Sequence, residues 1–233
     1  MQPTLPYWEE TTRPLGLSFP CAFYDVRARE TLDPHSVSCC NRGQADAVLK
    51  LIVQLQATWP AAWGPFTPAD ICVVTPSSAQ TRLVRDVLRT NRDHRELSLD
   101  QVNVLPVTAV QGLQFRVVVV TTVFATVPKS SDRRRQQEAM LLTDWRTFNS
   151  AITRACSLLL VLGAQATCTG LRTAEKLFWP ALLEICRQVL VHMLVIRTRA
   201  QSFFGCCAIM HYFKALCRVP SHTAHCALLV ACG

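Results

Sequence analysis

Apolar and polar positions follow two different periods along the chain, and their alternation predicts strands and helices in turn. Short apolar runs rich in β-branched residues are typical of buried strands. Segments with apolar residues at helical spacing lie between these runs, and one of them, 78–90, has arginines on its opposite face. The predicted strands are 21–26, 70–76, 102–107, 116–124 and 157–163, and the predicted helices are 42–58, 78–90, about 144–155 and about 172–187.

This order of elements predicts an α/β fold with a parallel sheet flanked by helices. Strands that alternate with helices form βαβ units, whose strands are parallel. The run 116–124 is apolar at almost every position, which favours a strand buried on both faces. Breaks are predicted at Gln111–Gly112 and in the charged stretch 129–138, which is interpreted as a solvated loop.

The last part of the chain differs from the rest in charge and composition. No acidic residue follows Glu184, and residues 189–233 combine five cysteines with four of the six histidines. Their spacing fits no common zinc pattern, so no metal site is predicted. The predicted organisation is an N-terminal extension at 1–18, one domain at 19–188, and an appended tail at 189–233 that is poorly ordered or specific to one isoform.

Composition limits the partners and the compartment only broadly. The formal charge of +8 at pH 7 suits a polyanion but does not distinguish nucleic acid from an acidic protein or a membrane surface. Glu9 and Glu10 interrupt the N-terminus before any apolar signal segment, and the uncharged stretch 155–171 is too short for a membrane span. We therefore expect an intracellular protein, cytoplasmic or nuclear, with reduced cysteines and no membrane partner.

Polar residues cluster in three loops next to the predicted strands. Residues 75–80 follow one strand, residues 108–114 follow another, and residues 149–154 lead into the last. Ligands of open parallel sheets bind beyond the carboxyl ends of the strands. We therefore expect one site to collect all three loops.

Three of these segments resemble the sequence motifs of a known enzyme family. VVTPSSAQ, VQGLQFRVVVVTTV and FNSAITRACSLLLVLG resemble motifs IV, V and VI of superfamily 1 helicases, in the group of the nonsense-mediated-decay helicase, the DNA2/NAM7-like helicases and the zinc-finger helicases. Their order and spacing match too, as do the upstream FYDV and NRGQADAV, and the likeness covers about 19–187. The resemblance implies a RecA-like fold of the P-loop NTPase type, the second of two such domains in a helicase.

The resemblance also implies roles for individual residues. Arg154 matches the motif VI arginine that contacts the γ-phosphate of ATP, which makes it the implied catalytic arginine finger. The residues implied to lie beside the nucleotide are Gln111, Gly112, Gln114 and Arg146, and those implied to contact nucleic acid are Thr75, Pro76, Gln80 and Thr108.

The chain departs from the family pattern in motifs V and VI. Pro106 and Thr108 stand where the family has a hydroxyl residue and an acid, and Gln114 replaces a glutamate expected to reach the ribose. Thr147 replaces the second of two adjacent arginines. These differences favour an alternative in which the domain is a non-catalytic interaction or scaffold module in transcription or RNA processing.

The machinery that would hold ATP is incomplete in this sequence. The 233 residues contain no G-x-x-x-x-G-K-[ST] loop and no strand ending in the Asp-Glu pair that holds magnesium. ATP and Mg²⁺ are therefore expected to bind only when a first RecA-like domain completes the site, and the chain alone is expected to be inactive. The leading hypothesis is the second half of an ATP-dependent helicase that acts on single-stranded RNA or DNA.

Overall fold

Five parallel strands form the central sheet of the computed structural model, which describes residues 21–34, 36–128, 132–170 and 178–195. The strands lie in the order β1-β7-β6-β4-β5, and a separate antiparallel pair is formed by β2 and β3. The parallel sheet confirms the predicted α/β class. The strands are β1 Cys21–Asp25, β2 Thr31–Leu32, β3 Cys39–Cys40, β4 Ile71–Thr75, β5 Asn103–Pro106, β6 Phe115–Thr121 and β7 Ala155–Gly163.

Helices follow or precede most of these strands. Four of them begin after a residue whose side chain accepts a hydrogen bond from the first turn, namely Asn41, Ser77, Asp132 and Asp144. The helices are α1 Arg42–Ala57, α2 Ser78–Thr90, α3 Arg133–Glu138, α4 Met140–Thr143, α5 Trp145–Ile152, α6 Gln165–Gly170 and α7 Phe178–Val195.

The sheet is buried on both faces, which explains its continuous apolar strands. Along β6, Val117 and Val119 belong to the core beneath α1 and α2, whereas Val118 and Val120 belong to the core beneath α4, α5 and α7. All four valines are inaccessible to solvent, and each contributes about 1.5–3 kcal/mol relative to an exposed position. Two separate layers of helices therefore hold one sheet between them.

Aromatic side chains fill the core beneath α5 and α7. The ring of Trp179 lies 4.8 Å from that of Phe148 and 6.5 Å from that of Phe23, in edge-to-face geometry. Phe178 also contacts Phe148, with ring centroids 4.7 Å apart. These contacts fix α7 and α5 against the same face of the sheet.

The structure differs from the sequence prediction in the charged stretch after β6. Residues 133–138, predicted as loop, form α3, while residues 129–131 lie outside the described part. Asp132 caps α3 by accepting from the backbone N–H of Arg135 at 3.1 Å. The carboxylate of Glu138 accepts from the Ser38 hydroxyl and from the Cys39 N–H. The helix is polar because it contacts a polar loop rather than the apolar core.

The last helix is also longer than predicted. The helix α7 continues to Val195, so the predicted boundary at residue 188 falls inside a helix. The helix α6 was not predicted. The predicted extension at 1–18 and the remainder of the tail, 196–233, lie outside the described residues. Within the described part of the chain, no helix has the length and apolar character needed to cross a membrane.

Candidate functional site

The sheet places the predicted site residues in two groups at opposite ends of the strands. Thr75 ends β4 and Thr108 follows β5, so both lie at the carboxyl edge, whereas Gln114 and Arg154 immediately precede β6 and β7 at the amino edge. The expectation that one site collects all three loops is therefore wrong. Val74 pairs with Val120, and the level of Thr75 is thus six residues, or about 20 Å, beyond the start of β6.

A glycine turn forms the first part of the amino-edge group. The backbone N–H of Leu113 donates to the carbonyl of Val110 at 3.1 Å, and Gly112 has a φ of +77° inside this turn. Residues with a side chain rarely adopt that φ, so the turn requires glycine. Gln111, Gly112, Leu113 and Gln114 are all exposed, and no atom lies within 4 Å of where a Gly112 Cβ would be. The turn presents its backbone to open space.

Arg154 lies against this turn and is held by neutral oxygen atoms. Its Nη1 donates to the carbonyl of Leu113 at 3.1 Å, and its Nη2 donates to the hydroxyl of Thr153 at 2.9 Å. The Thr153 hydroxyl donates in turn to the carbonyl of Asn149 at 2.7 Å. The Arg154 carbonyl accepts from the N–H of Phe115 at 2.9 Å, which joins the starts of β6 and β7. Thr153 and Leu113 are thus site residues that sequence reasoning missed.

The charge of Arg154 is not balanced by a carboxylate. The side chain is half-buried, and it makes no ion pair with any residue that the structure describes. Its Nε is buried and has no hydrogen-bond partner within the described ranges. A guanidinium held by carbonyl and hydroxyl oxygens keeps its full positive charge, so the amino edge offers an anion a fixed cation beside an exposed backbone turn.

Arg146 lies at the other end of the same helix. It is in the first turn of α5, eight residues before Arg154, which corresponds to about 12 Å along the helix axis. Because α5 lies on the sheet and leads directly into β7, its first turn points towards the carboxyl edge. Arg146 is exposed, and its guanidinium carbon lies 5.8 Å from the ring centre of Trp145. The structure does not bring Arg146 together with Arg154.

The replacement of a motif VI arginine by Thr147 has a local structural role. Asp144, the N-cap of α5, accepts from the Thr147 N–H at 2.9 Å and from its hydroxyl at 2.7 Å. Burial raises the pKa of Asp144, but the hydrogen bonds from Thr147, the backbone of Arg146 and the charge of Arg146 together outweigh it, so the pKa lies below its ordinary value. The threonine therefore stabilises the start of the helix that ends next to Arg154.

At the carboxyl edge, two predicted nucleic-acid contacts are buried and bonded within the protein. The hydroxyls of Thr75 and Thr81 lie 2.7 Å apart. Gln80 is inaccessible to solvent; its Oε1 accepts from the N–H of Asn41 at 2.7 Å, and its Nε2 donates to the Asn41 carbonyl at 3.3 Å. Pro76 is half-buried, and Thr108 is exposed. Of the four residues, Thr108 and Pro76 are therefore the ones that are accessible to a ligand.

The Asn41 side chain extends this buried network across the carboxyl edge. Its Nδ2 donates to the carbonyls of Ala28 and Val123, each at 2.8 Å, and the N–H of Val123 donates to Gln44 Oε1 at 2.9 Å. Val123 is fully buried with a φ of +66°, a strained conformation for a β-branched residue. The hydrogen bonds on both sides of Val123 hold it in place. The only sequence signal for this network was the segment NRGQADAV.

The described residues do not by themselves suggest a metal site. Across residues 21–34, 36–128, 132–170 and 178–195, no three His, Cys, Asp or Glu side chains come close enough together to hold a metal ion. The seven cysteines in these ranges are all free thiols.

Comparison with known proteins places these residues in the context of relatives. A family model described as an AAA domain matches residues 5–166. The protein named "Probable helicase with zinc finger domain" from Mus musculus is 30% identical over 183 residues, which cover 73% of this chain and 9% of the relative.

Two further relatives carry different names. The "3'-5' exoribonuclease HELZ2" from Homo sapiens is 31% identical over 168 residues, covering 72% of this chain and 6% of the relative. The "RNA helicase Mov10l1" from Homo sapiens is 30% identical over 156 residues, covering 67% of this chain and 12% of the relative. The chain thus spans about a tenth of the length of these curated relatives.

Proposed function

The chain belongs to the AAA-domain family of superfamily 1 helicases, in the group of the nonsense-mediated-decay helicase, and on this premise we propose that it is the second RecA-like half of an ATP-dependent helicase. In this proposal the chain supplies an arginine finger to an ATPase site that a first, P-loop-bearing domain completes. Its substrate is single-stranded RNA or DNA, which suits the net charge of +8. We also propose an intracellular location, cytoplasmic or nuclear.

The position of Arg154 is the single observation that supports this function most directly. Its guanidinium has no counter-charge among the described residues, and it is fixed by Leu113 and Thr153 beside the Gly112 turn. In phosphoryl transfer, charge accumulates on the oxygens of the transferring group, and an arginine aimed there lowers the barrier. Fixing two guanidinium nitrogens in advance reduces the entropy lost when the two domains close.

The remaining amino-edge residues fit a supporting role. The exposed backbone at Gln111 and Gly112 allows close approach of a nucleotide, and the amide of Gln114 is an exposed donor or acceptor for a ribose. ATP with Mg²⁺ supplies the phosphoryl group, and the proposal assigns its P-loop and magnesium ligands to the first domain.

The test is a complementation ATPase assay. The full chain is mixed with, or fused to, the P-loop domain of a relative such as the zinc-finger helicase, and turnover is measured with and without single-stranded RNA. We expect ATP hydrolysis only in the mixture, and a loss of about 10³-fold or more in kcat for Arg154→Ala with folding unchanged. Arg154→Lys keeps the charge but not the planar fork, so we expect it to recover little activity.

Arg89→Ala is the matched control. Arg89 is an exposed arginine in the last turn of α2, which packs on the opposite face of the sheet from α5, so its removal changes the net charge equally without touching Arg154 or its partners. Equal turnover in the wild-type and Arg154→Ala mixtures would refute the arginine-finger role.

A second candidate function, a non-catalytic scaffold, is favoured by a different observation. The polar groups of Thr75 and Gln80 form hydrogen bonds within the protein, and the Arg154 guanidinium already donates to two acceptors of the same chain. Binding measurements separate the two functions. A folded chain that binds neither single-stranded nucleic acid nor, in the presence of the P-loop domain, ATP would favour the scaffold, in which protein partners use this surface instead.

A further inference from the structure

The surface of α3, α4 and α5 has more basic than acidic side chains. Residues 132–154 contain five arginines and three acids, Asp132, Glu138 and Asp144, and the charge of Arg146 contributes to the lowered pKa of Asp144. The exposed arginines of the same segment are Arg133, Arg134 and Arg146, and none has an ion pair with a residue that the structure describes.

Apolar side chains are exposed on this same segment. Trp145 is 37% exposed and Met140 is 41% exposed, although most large apolar residues nearby are buried. The Arg146 guanidinium lies over one side of the Trp145 ring, 5.8 Å from its centre. An exposed indole with an adjacent exposed guanidinium is a combination that stacks on a nucleobase and contacts its phosphate.

The position of the pair in the fold agrees with this chemistry. The first turn of α5 points to the carboxyl edge, and α5 contacts the short helical turn Val107–Ala109 that follows β5. Thr108, which the sequence predicts to contact nucleic acid, is exposed in that turn. Trp145 and Thr108 therefore belong to the same end of the domain, away from Arg154.

We propose that Trp145 and Arg146 form a base-stacking site for single-stranded nucleic acid, and that Arg133 and Arg134 contact its phosphates. The inference deepens the proposed function and rests on it. It also gives Arg146 a different ligand from the nucleotide that the motif resemblance implies. Charge complementarity favours nucleic acid over a second copy of the chain, because two copies of a surface with three exposed arginines repel one another.

The test is fluorescence anisotropy on the full chain with three labelled probes. The probes are a single-stranded RNA and a DNA of mixed sequence on the order of 15 nucleotides long, and an abasic strand of the same length, each measured across a salt series. Alanine substitution of a residue stacked on one base lowers affinity roughly 5- to 150-fold. We expect Trp145→Ala to do so for the strands with bases and to leave the abasic strand unaffected, while Trp145→Phe retains most of the affinity.

The arginines have a different expected effect from the tryptophan. Arg146→Ala should weaken the binding of all three probes. The slope of log affinity against log salt concentration should become shallower by about 0.7 in this variant and by about 1.4 in the double alanine variant of Arg133 and Arg134. Arg146→Lys should restore the slope. Leu32→Ala is the matched control, since Leu32 is 58% exposed and lies on β2, outside the α3–α5 surface.

Tryptophan fluorescence supplies a second readout that does not depend on affinity. Trp59, Trp63 and Trp179 are at least partly buried, and Trp8 lies outside the described residues, so the signal of Trp145 is isolated by substitution: stacking on a base should quench the wild type, and this quenching should disappear in Trp145→Phe. Unchanged affinity of Trp145→Ala with no quenching, in a wild type that binds nucleic acid, would overturn this inference alone. A wild type that binds no probe at low salt would overturn the proposed function as well.

A protein interface is the remaining outcome that would overturn the inference. If light scattering shows that the chain self-associates and that Trp145→Ala abolishes association without changing nucleic-acid affinity, the surface is a contact between copies. Urea denaturation of each variant excludes loss of folding as the cause.

Discussion

Replacing Gln80 with alanine separates a structural role from a nucleic-acid contact. The sequence motif assigns Gln80 to nucleic acid, whereas its side chain is fully buried and bonds both backbone groups of Asn41. If the structure explains the residue, Gln80→Ala must destabilise the domain. If the motif assignment is direct, the substitution must weaken nucleic-acid binding and leave stability nearly unchanged.

The magnitude follows from the atoms that are removed. The Asn41 carbonyl keeps the N–H of Ala45 as a donor at 3.1 Å, but the Asn41 N–H loses its acceptor in a buried position. An unsatisfied buried N–H costs about 1–3 kcal/mol. Removing one buried methylene, Cγ, costs about 0.8 kcal/mol more, and the better helix propensity of alanine returns a few tenths. We expect a total loss of about 2.5 kcal/mol.

Urea denaturation followed by circular dichroism measures this loss. With an m-value of about 2 kcal/mol/M, the midpoint should fall by about 1.2 M. Gln80→Met keeps the volume and removes only the hydrogen bonds, so its midpoint should lie between those of the wild type and Gln80→Ala. A Gln80→Ala variant with an unchanged midpoint and weakened binding to single-stranded RNA would refute the structural reasoning and restore the motif assignment.

Three further predictions concern the capping acid, the glycine turn and the thiols. Because the pKa of Asp144 is lowered in the folded state, its cap stabilises the protein at neutral pH and this contribution is lost as pH falls through the lowered pKa; Asp144→Asn, which still caps but does not titrate, should flatten the acid limb of a stability–pH profile. Gly112→Ala should cost about 1–2 kcal/mol in urea denaturation because of its positive φ, whereas Gly170→Ala, also in open space but without that φ, should cost nothing. Burial raises the pKa of Cys72 to about 12, so iodoacetamide at pH 8 should modify exposed Cys156 and spare Cys72 in peptide mass spectra; equal labelling would contradict the buried position.

The strands and the helix faces could be predicted because burial leaves a direct periodic signal. The strand β6 is continuously apolar because both of its faces are covered. The helix α2 instead has apolar residues at helical spacing, because only one of its faces packs on the sheet. The helix α3 left no such signal, because its contacts are polar: Glu138 bonds Ser38 and Cys39, one hundred residues away in the chain. Composition and period alone describe it as a loop.

The site residues were predictable as types but not in their arrangement. The motifs named Arg154 and Gly112, and these two lie together at the amino edge. The same motifs could not show that Gln80 and Thr75 face inward. A hydroxyl or amide near the end of a strand gives the same sequence pattern whether it bonds a ligand or the protein. The partners that decide this, such as Asn41, lie far away in sequence.

Two short segments connect the opposite edges of the sheet. The helix α5 has Trp145 and Arg146 at its start and Arg154 just beyond its end, and its inward residues Phe148 and Ala151 are buried in the core. The crossover 107–114 also runs from the carboxyl edge at Thr108 to the amino edge at Gln114. Phe148 and Ala151 share one core with the strands β6 and β7, and close packing of this kind joins α5 to the sheet. If Arg154 engages ATP and the Trp145 surface engages nucleic acid, α5 is therefore the described helix that joins the two sites.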